Sequence, residues 1–298
     1  MKDRNRLLYR ISQFAGLLLG ARVFVLLFFA FTLYVSTFFL FSQEESLYRF
    51  VFDYKVHGII FCSILSIAAG SIINHFYDQE KDRLQRPFRS RLQNFIKQKY
   101  FLYSYIFLNL LSLGIALWLS PRIFIFFFIY QFLMWMYSHR ISKILILNNI
   151  AYVCLTLYPF FGMLVYYSHF SWTLFLMASY LSLVLLIIDV LKDILTVRVD
   201  KIFNYNTIAT SFGINGSIRM LMVTFIVSAG VSLLAAGRLP HSSILSLYYS
   251  VSAIVLVVGL YPMLFFKLKN ISWLRNGLRL WIVTGVFCML LNGLLQRF

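Results

Sequence analysis

An all-α integral membrane protein with nine transmembrane helices and a cytoplasmic N-terminus is the fold this sequence predicts, on three observations. Of 298 residues, 61% are apolar and only 12% are charged, a balance that would not keep a soluble domain of this size in water. The apolar residues fall in continuous runs, each near the roughly 20 residues that a helix needs to cross the hydrocarbon core. The cations are sorted by connection, most of them on one side of those runs. Together these exclude a soluble enzyme, a single-anchor protein and a disordered tail. Transmembrane strands are disfavoured as well, because they would alternate apolar and polar residues over about ten positions.

From the N-terminus, residues 1–20 place Leu7, Leu8, Ile11, Phe14, Leu17 and Leu18 at helical spacing beside Arg4, Arg6 and Arg10, the pattern of an interfacial amphipathic helix. The apolar run passes straight into a full-length span without a small-residue cleavage site, so the segment does not read as a cleavable signal. Spans follow at 22–42, 57–77, 100–119, 122–138, 146–167, 171–191, 216–236, 243–265 and 278–296. Between them, 78–99 and 192–215 read as cytoplasmic loops. Cys62, Cys154 and Cys288 all sit inside spans, with neither metal spacing nor a disulfide framework, and read as structural thiols. With no internal repeat, low-complexity tract or Gly-rich nucleotide loop, residues 1–298 read as one domain.

The 27 Lys and Arg face only 10 Asp and Glu, for a net charge of +17. Nucleic-acid binding is one meaning of such a balance and topology is another. Assigning connections to alternate sides puts 22 of the 27 cations on one side, within 2–22, 81–99, 140–143, 192–219 and 267–279; the other side receives only Arg49, Lys55, Arg122, Arg238 and Arg297. The positive-inside rule then places the N-terminus in the cytoplasm and the C-terminus outside. Little of the charge is left for a nucleic acid to explain, and the expected partner surface is the lipid bilayer of the inner, cytoplasmic membrane.

The scarce acids carry the chemistry. Six of them form two groups at cytoplasmic helix ends: Asp78, Glu80 and Asp82 at the end of the second span, and Asp189, Asp193 and Asp200 at the end of the sixth. Asn74, Asp78 and Asp82 are spaced i, i+4, i+8, which stacks three oxygen-bearing side chains on one helical face. Such a face suits a hard divalent cation, Mg²⁺ above all, which shares its oxygen ligands with substrate phosphates. Asp189, Asp193 and Asp200 share a face if their helix continues. Ionisable groups at the end of an apolar run are costly and usually line a cavity or pathway. Interleaved Lys and Arg would cover the remaining charge of a metal-bridged diphosphate. Against this stands a plain reading in which both groups are salt-bridged, solvated helix ends. The five histidines show no metal spacing, and His75 reads as a packing or interface residue.

On these residues the chain resembles the UbiA-type intramembrane prenyltransferases. That family's second helix ends in N-x-x-x-D-x-x-x-D followed by D-R-x-N-R-P-x-R-P. Asn74, Asp78, Asp82, Arg83, Arg86, Pro87 and Arg89 match, with Gln85 for the Asn and Ser90 for the second Pro. Its second motif is similar to Y-x-x-x-K-x-x-x-D-x-x-x-D, then a Gly and a T-L-P/A segment ending in Gly. Lys192, Asp200, Thr207-Ile208-Ala209 and Gly213 fall in register, while Ile188 replaces the Tyr, Thr196 the first Asp and Asn204 the Gly. Tyr137-Ser138-His139-Arg140, with Lys143, resembles the family's Y-S/T segment and its basic residues.

The resemblance implies a helical bundle around a central cavity, facing the cytoplasm, in which a polyprenyl group passes from an isoprenoid diphosphate donor to a lipophilic or aromatic acceptor with Mg²⁺ as cofactor. By the same resemblance Asp78, Asp82, Asp193 and Asp200 hold metal with Asn74 assisting. Lys192, Arg86, Arg140 and Lys143 contact phosphate oxygens, each also being a topology anchor, and Tyr137 faces the allylic cation. Because Thr196 departs from the family carboxylate, Asp193 with Asp200 is the expected working pair. Two other readings are an impaired relative and an ion-coupled transporter; carboxylates confined to one membrane face argue against a transmembrane ion relay.

Overall fold

The computed structural model of the protein describes residues 21–42, 46–85, 90, 98–264 and 268–297. The expected interfacial segment 1–20, and Arg86 with Pro87 and Arg89, lie outside them. Every regular element among the described residues is helical. In chain order these are α1 (Val23–Ser36, prolonged by a π-helical turn Thr37–Phe41), α2 (Leu47–Phe52), α3 (Tyr54–Tyr77), α4 (Gln79–Gln85), α5 (Gln98–Leu119), α6 (Pro121–His139), α7 (Leu147–Tyr167), α8 (Trp172–Ile202), α9 (Ile208–Ser211), α10 (Gly213–Arg238), α11 (Ile244–Val258), α12 (Tyr261–Leu264) and α13 (Leu268–Arg297). Eight segments among the described residues are long and apolar enough to cross a membrane. The remaining expected span, 122–138, falls on the 19-residue helix α6, which is not among those eight.

Several boundaries differ from the sequence expectation, and the expected loop 78–99 contains the short helix α4, Gln79–Gln85. Residues 192–202 are helix rather than loop, because no Gly or Pro interrupts Trp172–Ile202. At 31 residues α8 is about 46 Å long against a hydrocarbon core of about 30 Å, so its last turns must leave the core. The span expected at 243–265 breaks after Val258, since Pro262 has no N–H to bond back one turn. The last helix starts at Leu268, ten residues before its expected apolar run.

The chain forms two compact units, residues 1–34 with 45–142 and residues 35–44 with 143–298. In the first, α3 packs on both α5 and α6. Of its apolar stretch 67% is buried, against 17% for α5, so α3 is the core helix and α5 turns most of its surface outward. A buried polar layer ties the three helices together. Ser112 donates to the Cys62 carbonyl at 3.2 Å, Gln131 Nε2 donates to Ser66 Oγ at 3.1 Å, and the Ser66 and Ser112 hydroxyls are 3.1 Å apart. Small residues let apolar helices approach closely and hydrogen-bond across the contact.

In the second unit α8 packs on α7, α10 and α13, and α11 packs on α10 and α13. Its interior holds an aromatic cluster in which Tyr248 stacks on Trp281 with ring centroids 5.3 Å apart, and Trp281 Nε1 donates to Ser252 Oγ at 2.9 Å. The start of α8 is fixed by Ser171, whose hydroxyl accepts from the Leu174 N–H at 3.1 Å, an N-cap that satisfies one of the helix's orphan donors.

Candidate active site

In the first unit, α3 ends at Tyr77 and Asp78 is its C-cap. Asn74 Nδ2 donates to Asp78 Oδ2 at 3.0 Å. The backbone breaks here only slightly: the Asp78 N–H still reaches the Asn74 carbonyl at 3.0 Å, and the Asp82 N–H reaches the Asp78 carbonyl at 2.8 Å. The break is enough to divide the motif. Asp82, on α4, lies 3.1 Å from His75 Nδ1. The His75 ring is buried edge-on against Phe101 of α5, with centroids 5.3 Å apart. Instead of one column of three oxygens, the motif forms two pairs, Asn74 with Asp78 and His75 with Asp82. His75, read as a packing residue from the sequence, does pack, and it also orients an acid.

Tyr137 is half-buried in the last turn of α6, and Arg140, exposed, is that helix's C-cap. Beside them the His139 ring lies between Trp135, stacked at 5.4 Å, and Tyr77, edge-on at 5.3 Å.

In the second unit, the uninterrupted α8 carries Asp189, Asp193 and Asp200, each at most 2% exposed. Burying a carboxylate costs several kcal/mol unless partners hold its charge, and the partners are present. Lys192 Nζ is 2.7 Å from Asp189 Oδ1 and 3.7 Å from Asp193 Oδ1, and it sits over the Tyr152 ring at 5.9 Å. Asn149, in the first turn of α7, spends both amide hydrogens on the same pair, donating to Asp189 Oδ2 at 2.8 Å and Asp193 Oδ2 at 3.0 Å. Thr196 Oγ1 lies 2.6 Å from Asp200 Oδ2 and 3.0 Å from the Lys192 carbonyl. A hydroxyl has one proton to give, and the shorter contact is to the carboxylate.

The end of α8 fixes Asp200 further. Asn204 takes the left-handed conformation with φ 56°, the Tyr205 N–H bonds to the Asp200 carbonyl at 2.9 Å, and the Asn204 N–H bonds to the Lys201 carbonyl at 3.3 Å. This paired arrangement is a Schellman stop. Asn is the residue besides Gly that enters this region most readily, so the Gly-to-Asn departure at 204 preserves the turn. Lys143, exposed, reaches over the Tyr205 ring at 5.5 Å, and its carbonyl accepts from the Asn206 N–H at 3.2 Å.

Residues 48–273 match the UbiA prenyltransferase family. The chain belongs to that family. A digeranylgeranylglyceryl phosphate synthase from Thermococcus gammatolerans is 29% identical over 110 residues, 36% of this chain and 40% of the relative, so the match spans about two fifths of that protein. A structure solved for digeranylgeranylglyceryl phosphate synthase in membranes superposes with a TM-score of 0.68 at 17% identity, covering 94% of this chain and 98% of that one. A UbiA homologue from Archaeoglobus fulgidus bound to GPP and Mg²⁺ gives 0.66 at 13% identity, covering 92% and 99%. At such identities the structural likeness is one of fold.

Within this UbiA-family fold the second motif is organised differently from the sequence expectation. Asp193 shares its partners with Asp189, one turn before it, and Asp200 is engaged by Thr196. The sequence reading missed Asn149. Asn148 and Asn149 open a 21-residue apolar helix, where two amides look like an ordinary helix start, and only the tertiary contact gives the second one a role. Among the described residues no three His, Cys, Asp or Glu side chains are placed to hold a metal by themselves.

Proposed function

We propose that the protein catalyses Mg²⁺-dependent transfer of a polyprenyl group from an isoprenoid diphosphate to a lipophilic or aromatic acceptor within the membrane, at a site open to the cytoplasm. The observation that carries this reading is the buried, fully oriented set of acids on α8 in a chain of this family. Relatives bound to GPP or DMAPP with Mg²⁺ support it.

The donor set fits Mg²⁺ in kind. All the acids present hard oxygens, and Mg²⁺ is commonly held by one or two carboxylates, with substrate phosphates and water completing its shell. Asp78 and Asp82, with Asn74, are the proposed ligands from the first motif; Asp193 and Asp200 are those from the second. Bound there, Mg²⁺ would stabilise the negative charge that grows on the departing diphosphate. Lys192, held in place by Asp189, is a proposed contact for a phosphate oxygen. Arg140 and Lys143, exposed at the ends of their elements, are further proposed phosphate contacts, as is Arg86. Tyr137 is the proposed aromatic face for the allylic cation.

The test uses the full chain in nanodiscs with Mg²⁺, radiolabelled farnesyl or geranylgeranyl diphosphate, and a panel of aromatic, quinone-precursor and glyceryl-phosphate acceptors. Metal-dependent release of diphosphate with one acceptor is expected. Asp78→Ala and Asp200→Ala should each lower turnover by about 10²- to 10³-fold, with folded yield near wild type. Failure to bind the donor, together with no metal-dependent release of diphosphate for any acceptor, would overturn the reading.

A further inference from the structure

Asn149 is 1% exposed. Its amide nitrogen bridges Asp189 and Asp193, and its carbonyl oxygen Oδ1 is buried without a hydrogen-bond partner. The two contacts to nitrogen fix which end of the amide is which, because a carboxylate only accepts. A buried carbonyl without a partner forfeits its hydration, so this orientation is held against a cost. Among the described residues the ammonium in contact with the carboxylate pair is that of Lys192, one cation beside two acids. A cation placed here would relieve both deficits, by adding positive charge beside the two carboxylates and by accepting the unused oxygen.

We propose that Asn149 is a positioning residue of the second acidic motif: its amide nitrogen locks Asp189 and Asp193 into one cation-binding pair, and its carbonyl oxygen is presented to the same cation, directly or through a coordinated water. The cation seat therefore includes Asp189, one turn earlier on α8 than the pair Asp193 and Asp200. This rests on the diphosphate-and-Mg²⁺ reading and deepens it. Thr196 becomes intelligible in the same terms. With a carboxylate pair supplied by 189 and 193, position 196 is free to be a hydroxyl that steadies Asp200.

The experiment measures Mn²⁺ binding, as loss of the free-ion electron paramagnetic resonance signal, with the unreactive donor analogue farnesyl thiolodiphosphate and the full chain in nanodiscs. Asn149→Leu removes the donors at similar volume, and Asn149→Ala removes the amide altogether without adding a new polar group. Thermal unfolding is recorded for each. Both variants should require about 10- to 100-fold more Mn²⁺ for half-saturation, the range typical of lost ligand-orienting contacts, while unfolding near the wild-type temperature. Wild-type Mn²⁺ affinity in either folded variant overturns the proposal. Loss of fold in both assigns Asn149 to stability alone and overturns it too. A wild-type protein that binds neither Mn²⁺ nor the analogue fails at the earlier step, because it refutes the prenyltransferase chemistry itself.

Discussion

Thr196 shows how one residue's chemistry follows from its neighbours. Its hydroxyl lies 2.6 Å from Asp200 Oδ2, so the position that departs from the family carboxylate still serves a carboxylate, as donor rather than as ligand. A hydrogen bond to a charged group contributes about 1.5–3 kcal/mol. Thr196→Asp would exchange that bond for two carboxylates in contact, which cannot both stay ionised without a cation between them. The variant should unfold at lower temperature than wild type without Mg²⁺, gain more on Mg²⁺ addition, and reach half-maximal turnover at lower Mg²⁺. Superimposable Mg²⁺ titrations of the two proteins would sink this account. The acids themselves were legible in the sequence, because carboxylates are scarce and their spacing is helical. Their partners were not: His75 reaches Asp82 only because the backbone turns at Asp78, and Asn149 reaches Asp189 and Asp193 across 40 and 44 residues of chain.

At the level of elements, apolar runs located the helices, while their ends answered to forces that hydropathy does not report. The α8 helix runs on past its apolar stretch because nothing from 192 to 202 breaks it: the segment has no Gly or Pro, the two residues that cost most inside a helix. The α11 helix stops early because of Pro262. The π-helical turn Thr37–Phe41 had no sequence signal that we recognise, yet its packing makes a sharp demand on α13. A Cβ at Gly293 would sit 2.0 Å from Phe39 Cδ1 and 2.3 Å from Cγ, and an aromatic ring cannot yield at those atoms as a flexible chain end can. Overpacking of this kind costs about 1–3 kcal/mol. Gly293→Ala should therefore lower the unfolding temperature in detergent. Gly230→Ala on α10, where a Cβ meets nothing within 4 Å, should leave it unchanged or slightly raised, since Ala is the better helix former. Equal effects at the two positions would remove the contact from the explanation.

For the whole molecule, the excess of cations is informative through its placement. The connections read as external carry few Lys and Arg. The helices that begin there start on side-chain caps, with Asp53 accepting from Lys55 and Val56, Ser120 from Arg122, Ser171 from Leu174 and Ser243 from Ser246. The opposite side carries 22 of the 27 cations and both groups of motif acids, and a charged diphosphate could arrive there from water without crossing the bilayer. The orientation is testable independently of catalysis. In a chain whose Cys62, Cys154 and Cys288 are replaced by Ser, a cysteine is introduced as Lys201→Cys or as His241→Cys, both exposed positions. A membrane-impermeant maleimide should label the first only in inside-out vesicles and the second only in right-side-out vesicles. The reverse pattern would invert the topology and move the acid-bearing face outside, where the donor diphosphate would have to be supplied from beyond the cytoplasm. Labelling of both from one side would remove a crossing between α8 and α11 and refute the alternation of connections on which the orientation rests.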